Sequence, residues 1–202
     1  MVEIGKRQYI LSRCLPNASD TLLLGYTSNQ LKAIEDNKGD IWTFLSSQNR
    51  LFSVDPSLTA ANGALMRAFP LALLNNSTDE PRSIALEQGK MTHPHPAASW
   101  GAWLGVAMMH SAVQGNDPFT TLDEELALMP QDVAEDFLPL LAPKWQPTRG
   151  RINNGSIWGC LADAVWAVRN TTSFEDAVVK AVNLGDDTDT VACVAGALAG
   201  AI

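Results

Sequence analysis

Positive charge, cysteine and histidine are all scarce in this chain. Fourteen Lys and Arg face 22 Asp and Glu, a formal charge of −8. An acidic chain without a basic cluster argues against general nucleic-acid binding. The three cysteines, Cys14, Cys160 and Cys193, are widely spaced and form no CxxC pair of the metal-binding kind. Cys160 and Cys193 fall within apolar helical patterns, which predicts buried free thiols. Long hydrophobic runs are also missing. The first twenty residues lack an apolar core of the signal-peptide type, and the apolar stretch 100–109 is too short, and too broken by Gly101 and Gly105, to span a bilayer. The expectation is a cytoplasmic protein with no membrane or nucleic-acid partner. No linker-like segment and no internal repeat divides the 202 residues, and 46% hydrophobic content can supply one sizeable core, so a single domain over 1–202 is expected.

No strand-length run of alternating β-branched residues occurs, whereas spacings of three and four are common. Thr172-Ser173-Phe174-Glu175-Asp176 reads as a cap with an acidic first turn, and Ala177, Val178, Ala181 and Val182 continue a helical stripe that ends at Gly185. Ile157, Leu161, Ala164, Val165 and Val168 predict a helix over 156–168. Residues 97–113 are apolar nearly all round, which predicts a buried helix. Thr121-Leu122-Asp123-Glu124 reads as a capping box for a further helix. Prolines, glycines and asparagines between Leu141 and Gly155 mark a long loop. In the last apolar stretch Gly196 and Gly200 lie four apart, which predicts close approach by a neighbouring helix.

The acidic run Asp186-Asp187-Thr188-Asp189-Thr190 stands where that last helix begins. Three carboxylates in one small volume repel unless a cation neutralises them, and Asp and Thr oxygens suit Mg²⁺, Mn²⁺ or Ca²⁺ rather than zinc. The alternative is plain helix capping, in which the same side chains satisfy free backbone N–H groups. Two of the three histidines sit in Thr92-His93-Pro94-His95-Pro96. Proline makes this a stiff loop able to hold an imidazole at a groove edge, or simply a connector between helices. Asn62-Gly63 is a turn signal whose amide both donates and accepts, or an ordinary N-cap. His110 lies in the apolar helix and reads as a satisfied core residue.

These segments carry a family resemblance. Gly185-Asp186-Asp187-Thr188-Asp189-Thr190, leading into Val191 to Ala201, resembles the C-terminal signature of the ADP-ribosylglycohydrolase family, Gly-Gly-Asp-Thr-Asp-Thr before a small-residue helix. Asn62-Gly63-Ala64-Leu65-Met66-Arg67-Ala68-Phe69-Pro70 is similar to the family's Asn-Gly-Ser-x-Met-Arg-x-x-Pro. Thr92-His93-Pro94-His95-Pro96 is similar to its Thr-His-x-x-Pro, and the three segments are collinear over residues 55 to 202. The resemblance implies a compact, orthogonal, all-α helical bundle. It implies a metal-dependent hydrolase that cleaves the glycosidic bond between ADP-ribose and a modified protein side chain, using two Mg²⁺ or Mn²⁺ ions. Asp187, Asp189 and Thr190 would be metal ligands, with Asp187 and Asp189 catalytic. Asn62, Gly63 and His93 would contact ADP-ribose, while Arg67 is expected in a buried ion pair.

Departures from the family pattern qualify that expectation. Residues 1–54 match neither its Gly-Asp-Ala-x-Gly segment nor its Thr-Asp-Asp triplet, and the chain stops at Ile202 within the signature helix. A half-site is therefore expected, in a shortened copy, a fragment or one part of a split protein whose second chain supplies the missing ligands. A catalytically inactive ADP-ribose-binding module and a crystallin-like structural scaffold are the competing readings.

Overall fold

The structure, a computed structural model, describes residues 53–74, 79–148 and 153–202. Expectations placed on residues 1–52, among them Cys14, lie outside the described residues. Eight α-helices follow in the described part: α1 (Gly63–Met66), α2 (Asp79–Lys90), α3 (Pro96–Val113), α4 (Pro118–Leu128), α5 (Gln131–Leu141), α6 (Ile157–Arg169), α7 (Phe174–Val182) and α8 (Thr188–Ala201). Tight 3₁₀ turns occupy Pro56–Thr59 and Phe69–Leu73. The described residues form no strand; one isolated antiparallel bridge joins Ala61 to Ser156. The architecture is all-α, as the periodicity predicts.

The apolar helix α3 is central because it has no solvent face to offer. Its Ala97, Leu104 and Met108 enter a large core with α4, α5, α6, α7 and α8 residues, including Leu122, Phe137, Leu161, Val165, Val191 and Leu198. Its Ala98, Ala102 and Val106 enter a second cluster with Ala64, Ala68, Leu71 and Ala85. Burying a Leu or Val side chain stabilises by roughly 1.5–3 kcal/mol each, so the two clusters carry most of the fold's favourable free energy. Two α3 glycines let other elements close in. A Cβ on Gly101 would lie 2.3 Å from Ile157 Cγ1, and one on Gly105 would lie 2.4 Å from Leu65 Cδ1. The starts of α6 and α1 thus rest directly on α3.

Capping sets the boundaries. Ser156 accepts from Gly159 N at 3.2 Å to start α6, and Ser173 accepts from Asp176 N at 3.1 Å to start α7. The capping box expected at Thr121 is corrected: α4 begins at Pro118 behind the N-cap Asp117, and Thr121 lies inside the helix. Asp followed by Pro is the stronger start, since the carboxylate caps while proline at the first position arrives with helical φ. Thr121 instead donates to Ser111 Oγ at 2.6 Å, tying α4 to α3. Glu125 adds a second tie: it pairs with Arg82 of α2 and accepts from Trp103 Nε1 of α3 at 2.6 Å, with the Arg82 guanidinium 5.0 Å over the Trp103 ring.

Helix α8 buries Thr190, Val191, Val194, Ala195 and Leu198 on one face. Cys193 falls on the other face and is exposed, which corrects the expected buried thiol; Cys160 is buried as expected. The neighbour over Gly196 and Gly200 is helix α7, whose Val178 Cγ2 would lie 3.4 Å from a Cβ on Gly196 and whose Phe174 ring 3.6 Å from one on Gly200, so the helix approaches these glycines through side chains rather than backbone to backbone. Among the described residues no helix is long and apolar enough to cross a membrane.

Candidate active site

Three segments far apart in sequence meet at the N-terminus of α8. Helix α7 ends at Val182, and the chain then turns through two successive left-handed residues, Gly185 at φ +82° and Asp186 at φ +61°. Gly adopts that conformation freely, whereas Asp does so at a cost of about 1 kcal/mol. The turn brings Asp187 to the N-cap position of α8, where its side chain caps no backbone N–H. The plain capping reading of the acidic run therefore fails at Asp187. Its carboxylate turns to the loop before α1: Asn62 Nδ2 donates to Asp187 Oδ2 at 2.5 Å. On the other oxygen, Thr190 Oγ1 donates to Asp187 Oδ1 at 3.1 Å, one helical turn away.

The third segment is the one before α6. Asn62 Nδ2 also donates to the backbone oxygen of Asn154 at 2.9 Å, and Asn62 N donates to Gly155 O at 3.1 Å. Asn154 Oδ1 accepts from Asp187 N at 2.9 Å. Its Nδ2 donates to Gly185 O at 3.0 Å and to Asp163 Oδ2 at 3.2 Å. Asn154 and Asp163 are fully buried. Cys160 lies beneath them on α6, its thiol pushed far above the ordinary range by burial and then by the Asp187 and Asp163 carboxylates. It is a neutral thiol and no nucleophile.

Of the residues singled out in the sequence, Asn62, Asp187 and Thr190 are joined by hydrogen bonds, and Gly63, buried, opens α1 directly behind Asn62. Asp189 is one step into α8 and exposed. His93 lies apart in the loop between α2 and α3 and is only 1% exposed. Arg67 Nη2 donates to Thr92 Oγ1 at 2.5 Å, and Thr92 Oγ1 meets His93 Nδ1 at 2.7 Å. Since a guanidinium can only donate, the Thr92 hydroxyl accepts from Arg67, and its second lone pair or its own proton meets Nδ1, so the contact fits either imidazole tautomer. The His93 Nε2 is buried with no hydrogen-bond partner among the described residues. Burial, and then the Arg67 charge, lower the His93 pKa to about 3, so the ring is neutral. Arg67 was expected in an ion pair; its hydrogen bonds to described residues include those to Thr92 Oγ1 and to Gln88 Oε1, the latter at 2.7 Å. His95 caps α3 by accepting from Ala97 N at 3.1 Å and packs edge-on against Trp158 at 5.1 Å. His110 is held in the core with Nδ1 2.9 Å from Ala72 O.

The donor set at Asp187 and Thr190 is all oxygen, which fits a hard divalent cation. A cation there would replace the bonds that Asn62 and Thr190 now make to the carboxylate. Among the described residues, no three His, Cys, Asp or Glu side chains converge as a metal-binding group. Asp187 and Thr190, hydrogen-bonded to each other on one helical turn, are the pair of such oxygens brought together here, with Asp189 exposed beside them.

Comparison with known proteins follows the same segments. Residues 13–202 match the family model for ADP-ribosylglycohydrolase. The chain belongs to that family. It is 34% identical over 151 residues to the ADP-ribosylarginine hydrolase Tri1 of Pseudomonas putida (strain GB-1), covering 73% of this chain and 39% of that protein. It is 30% identical over 145 residues to the ADP-ribosyl-[dinitrogen reductase] glycohydrolase of Rhodospirillum rubrum, covering 70% of this chain and 46% of that protein. The chain thus spans less than half the length of these curated relatives. A solved structure described as an ADP-ribosylglycohydrolase-related protein complex superposes with a TM-score of 0.58 at 28% identity, over 91% of this chain and 69% of that one. The all-α fold is the family's.

Asn154 was not among the sequence-predicted site residues. Asn153-Asn154-Gly155 reads as turn punctuation, and the signal that could have singled it out is the Asn pair ahead of the Ser156 helix start.

Proposed function

We propose that this chain forms the ADP-ribose-facing part of a metal-dependent ADP-ribosylglycohydrolase that releases ADP-ribose from a modified protein side chain. The observation that carries the reading is the convergence of Asn62, Asp187 and Thr190 across 125 residues of sequence separation. A lone acidic helix start needs no such partner. In this reading Asp187, Asp189 and Thr190 would hold Mg²⁺ or Mn²⁺, and such an ion supplies positive charge that orients ribose hydroxyls and makes a bound water more acidic. Asp187 contributes negative charge where the anomeric carbon becomes positive as its glycosidic bond breaks. The Asn62 amide orients the Asp187 carboxylate and, once released from it, can turn its N–H groups to substrate oxygens. Gly63 lets a phosphate or ribose approach the backbone, and the buried Nε2 of His93, which has no partner among the described residues, is a neutral polar contact for the ligand. The arginine linkage named for the Pseudomonas relative is the first to test.

Titration calorimetry with Mn²⁺ on this chain and on Asp187→Ala tests the metal, and melting with millimolar ADP-ribose tests the ligand. Binding lost in the variant together with an upward melting shift supports the reading. A metal-independent shift with no turnover on ADP-ribosyl-arginine protein, even when a segment carrying the family's Thr-Asp-Asp triplet is supplied, identifies a binding module. No response to either ligand leaves the scaffold reading.

A further inference from the structure

We propose that Asn154 is the positioning residue of this site: it sets the Asp187 backbone and the Asn62 amide together, and Asp163 fixes the orientation of its own side chain. The inference rests on the proposal that Asp187 and Asn62 face the ligand.

The hydrogen-bond pattern leaves the Asn154 amide one orientation. Asp187 N–H can only donate, so the atom it meets at 2.9 Å is the Asn154 carbonyl oxygen. Gly185 O can only accept, so the atom facing it at 3.0 Å is the Asn154 nitrogen. The second hydrogen on that nitrogen is taken by Asp163 Oδ2 at 3.2 Å. Both amide hydrogens and the oxygen are therefore committed, each to a different point, and a flipped amide would face acceptor with acceptor. These contacts bracket Asp186, holding the carbonyl of the peptide before it and the N–H of the peptide after it. A left-handed aspartate is held only where the surroundings over-determine it, and Asn154 supplies that constraint. Through its main-chain oxygen the same residue accepts from Asn62 Nδ2 at 2.9 Å. One buried residue thus registers the α1 loop against the α8 N-terminus, beside the direct bonds of Asn62 to Asp187 and of Thr190 to the Met66 sulfur.

The seat for Asn154 is rigid. A Cβ on Gly159 would stand 2.5 Å from Asn153 O and 2.9 Å from Asn154 Cα, so the first turn of α6 lies directly against this backbone. Asp163, one turn further along the same helix, comes up beneath the amide and is fully buried. A buried carboxylate is costly unless hydrogen bonds hold it, and one of those it accepts here is the bond that fixes the amide. Groups that orient a ligand-bearing residue from behind change metal affinity by about 10–100-fold when removed.

The test uses the 202-residue chain with Mn²⁺ as probe and two readouts, calorimetric affinity and the ¹H–¹⁵N resonances of the Asp187 backbone amide and the Asn62 side-chain amide. Asn154→Ala should shift both resonances and weaken Mn²⁺ binding about 10–100-fold. Asn154→Asp keeps an oxygen for Asp187 N–H but sets a second oxygen against Gly185 O and Asp163, and should weaken binding similarly. Adding Asp163→Asn to Asn154→Asp restores a donor between positions 154 and 163 at unchanged total charge, and should bring back part of the affinity, the oxygen facing Gly185 O keeping the rest lost. A purely structural role would not give that reciprocal rescue. Unchanged resonances and affinity in a folded Asn154→Ala, or a folded double variant no better than Asn154→Asp alone, overturns the proposal. If Asn154→Ala does not fold, the reciprocal pair decides. If the unsubstituted chain binds no Mn²⁺, the metal reading has failed instead, and the two amide resonances still decide whether Asn154 holds the pair.

Discussion

His93 should make the protein sensitive to mild acid, through burial rather than through catalysis. In the folded chain its pKa is lowered to about 3, against an ordinary value of 6.5, first by burial and then by the nearby Arg67 charge. The unfolded chain therefore takes up a proton as pH falls below 6.5 while the folded chain does not, so stability is lost from about pH 6.5 downward and stays constant above it. Near pH 5 the unfolded imidazole is almost fully protonated and the folded one is still neutral, a penalty of about 2 kcal/mol relative to pH 7.5. In a chain of this size that lowers the melting temperature by roughly 4–8 °C. Half-buried His95, whose pKa is also lowered by burial despite an opposing effect of Asp136, adds to the loss in the same direction. Melting of the chain and of His93→Gln at both pH values isolates His93, since a general weakening in the variant cancels when each protein is compared with itself. The variant should lose about 2 kcal/mol less between pH 7.5 and pH 5. An imidazole resonance of His93 that titrates near pH 6.5 in the folded protein would refute the reasoning.

Three further substitutions probe the frame around the site. Gly159→Ala should destabilise by about 2–3 kcal/mol, because its Cβ would meet the backbone of Asn153 and Asn154, which cannot rotate away; chemical denaturation reads this, and a neutral outcome means the α6 contact is looser than described. Asp186→Gly should stabilise by up to about 1 kcal/mol, since glycine relieves the left-handed φ of +61°, and a fall in melting temperature would show that the aspartate side chain contributes more than its backbone costs. Glu125→Ala should cost about 1–3 kcal/mol by leaving Arg82 Nη1 and the Trp103 N–H without their shared acceptor while Arg82 keeps its exposed partner Asp79, with a loss below 1 kcal/mol counting against it.

The helices that sequence pattern located best are those whose burial is one-sided or complete. α3 and α6 lie within one residue of their predicted spans because apolar spacing, not a local signal, defines them. The start of α4 was misplaced because two capping signals lie four residues apart, and Asp117-Pro118 outcompetes Thr121. α2 and α5 escaped notice: their buried faces are small or mixed, Pro81, Ala85, Gln88 and Gly89 in one, while Pro139 interrupts the pattern of the other. Such helices are specified by what packs on them. Gln88, for instance, earns its burial by donating to Ala64 O at 2.9 Å and accepting from Arg67, neither of which is near it in sequence.

The site divides along the same line. Asp187, Thr190 and Asn62 were legible because motif spacing marks them, and the two hydrogen bonds on the Asp187 carboxylate show why the motifs travel together: each supplies one donor to the same group. Asn154 was not legible, since its role depends on reaching Gly185 and Asp187 31 and 33 residues away, and no local pattern distinguishes it from the Asn153 beside it. Asn153 is exposed and caps its own turn by accepting from Gly155 N at 2.8 Å, whereas Asn154 is fully buried with every amide hydrogen used. Adjacent identical residues thus have opposite duties, decided by which side of one turn faces the α7–α8 connection. Among the described residues the donors that orient the Asp187 carboxylate are the Asn62 amide and the Thr190 hydroxyl, both neutral, one from the loop before α1 and one from the first turn of α8 itself.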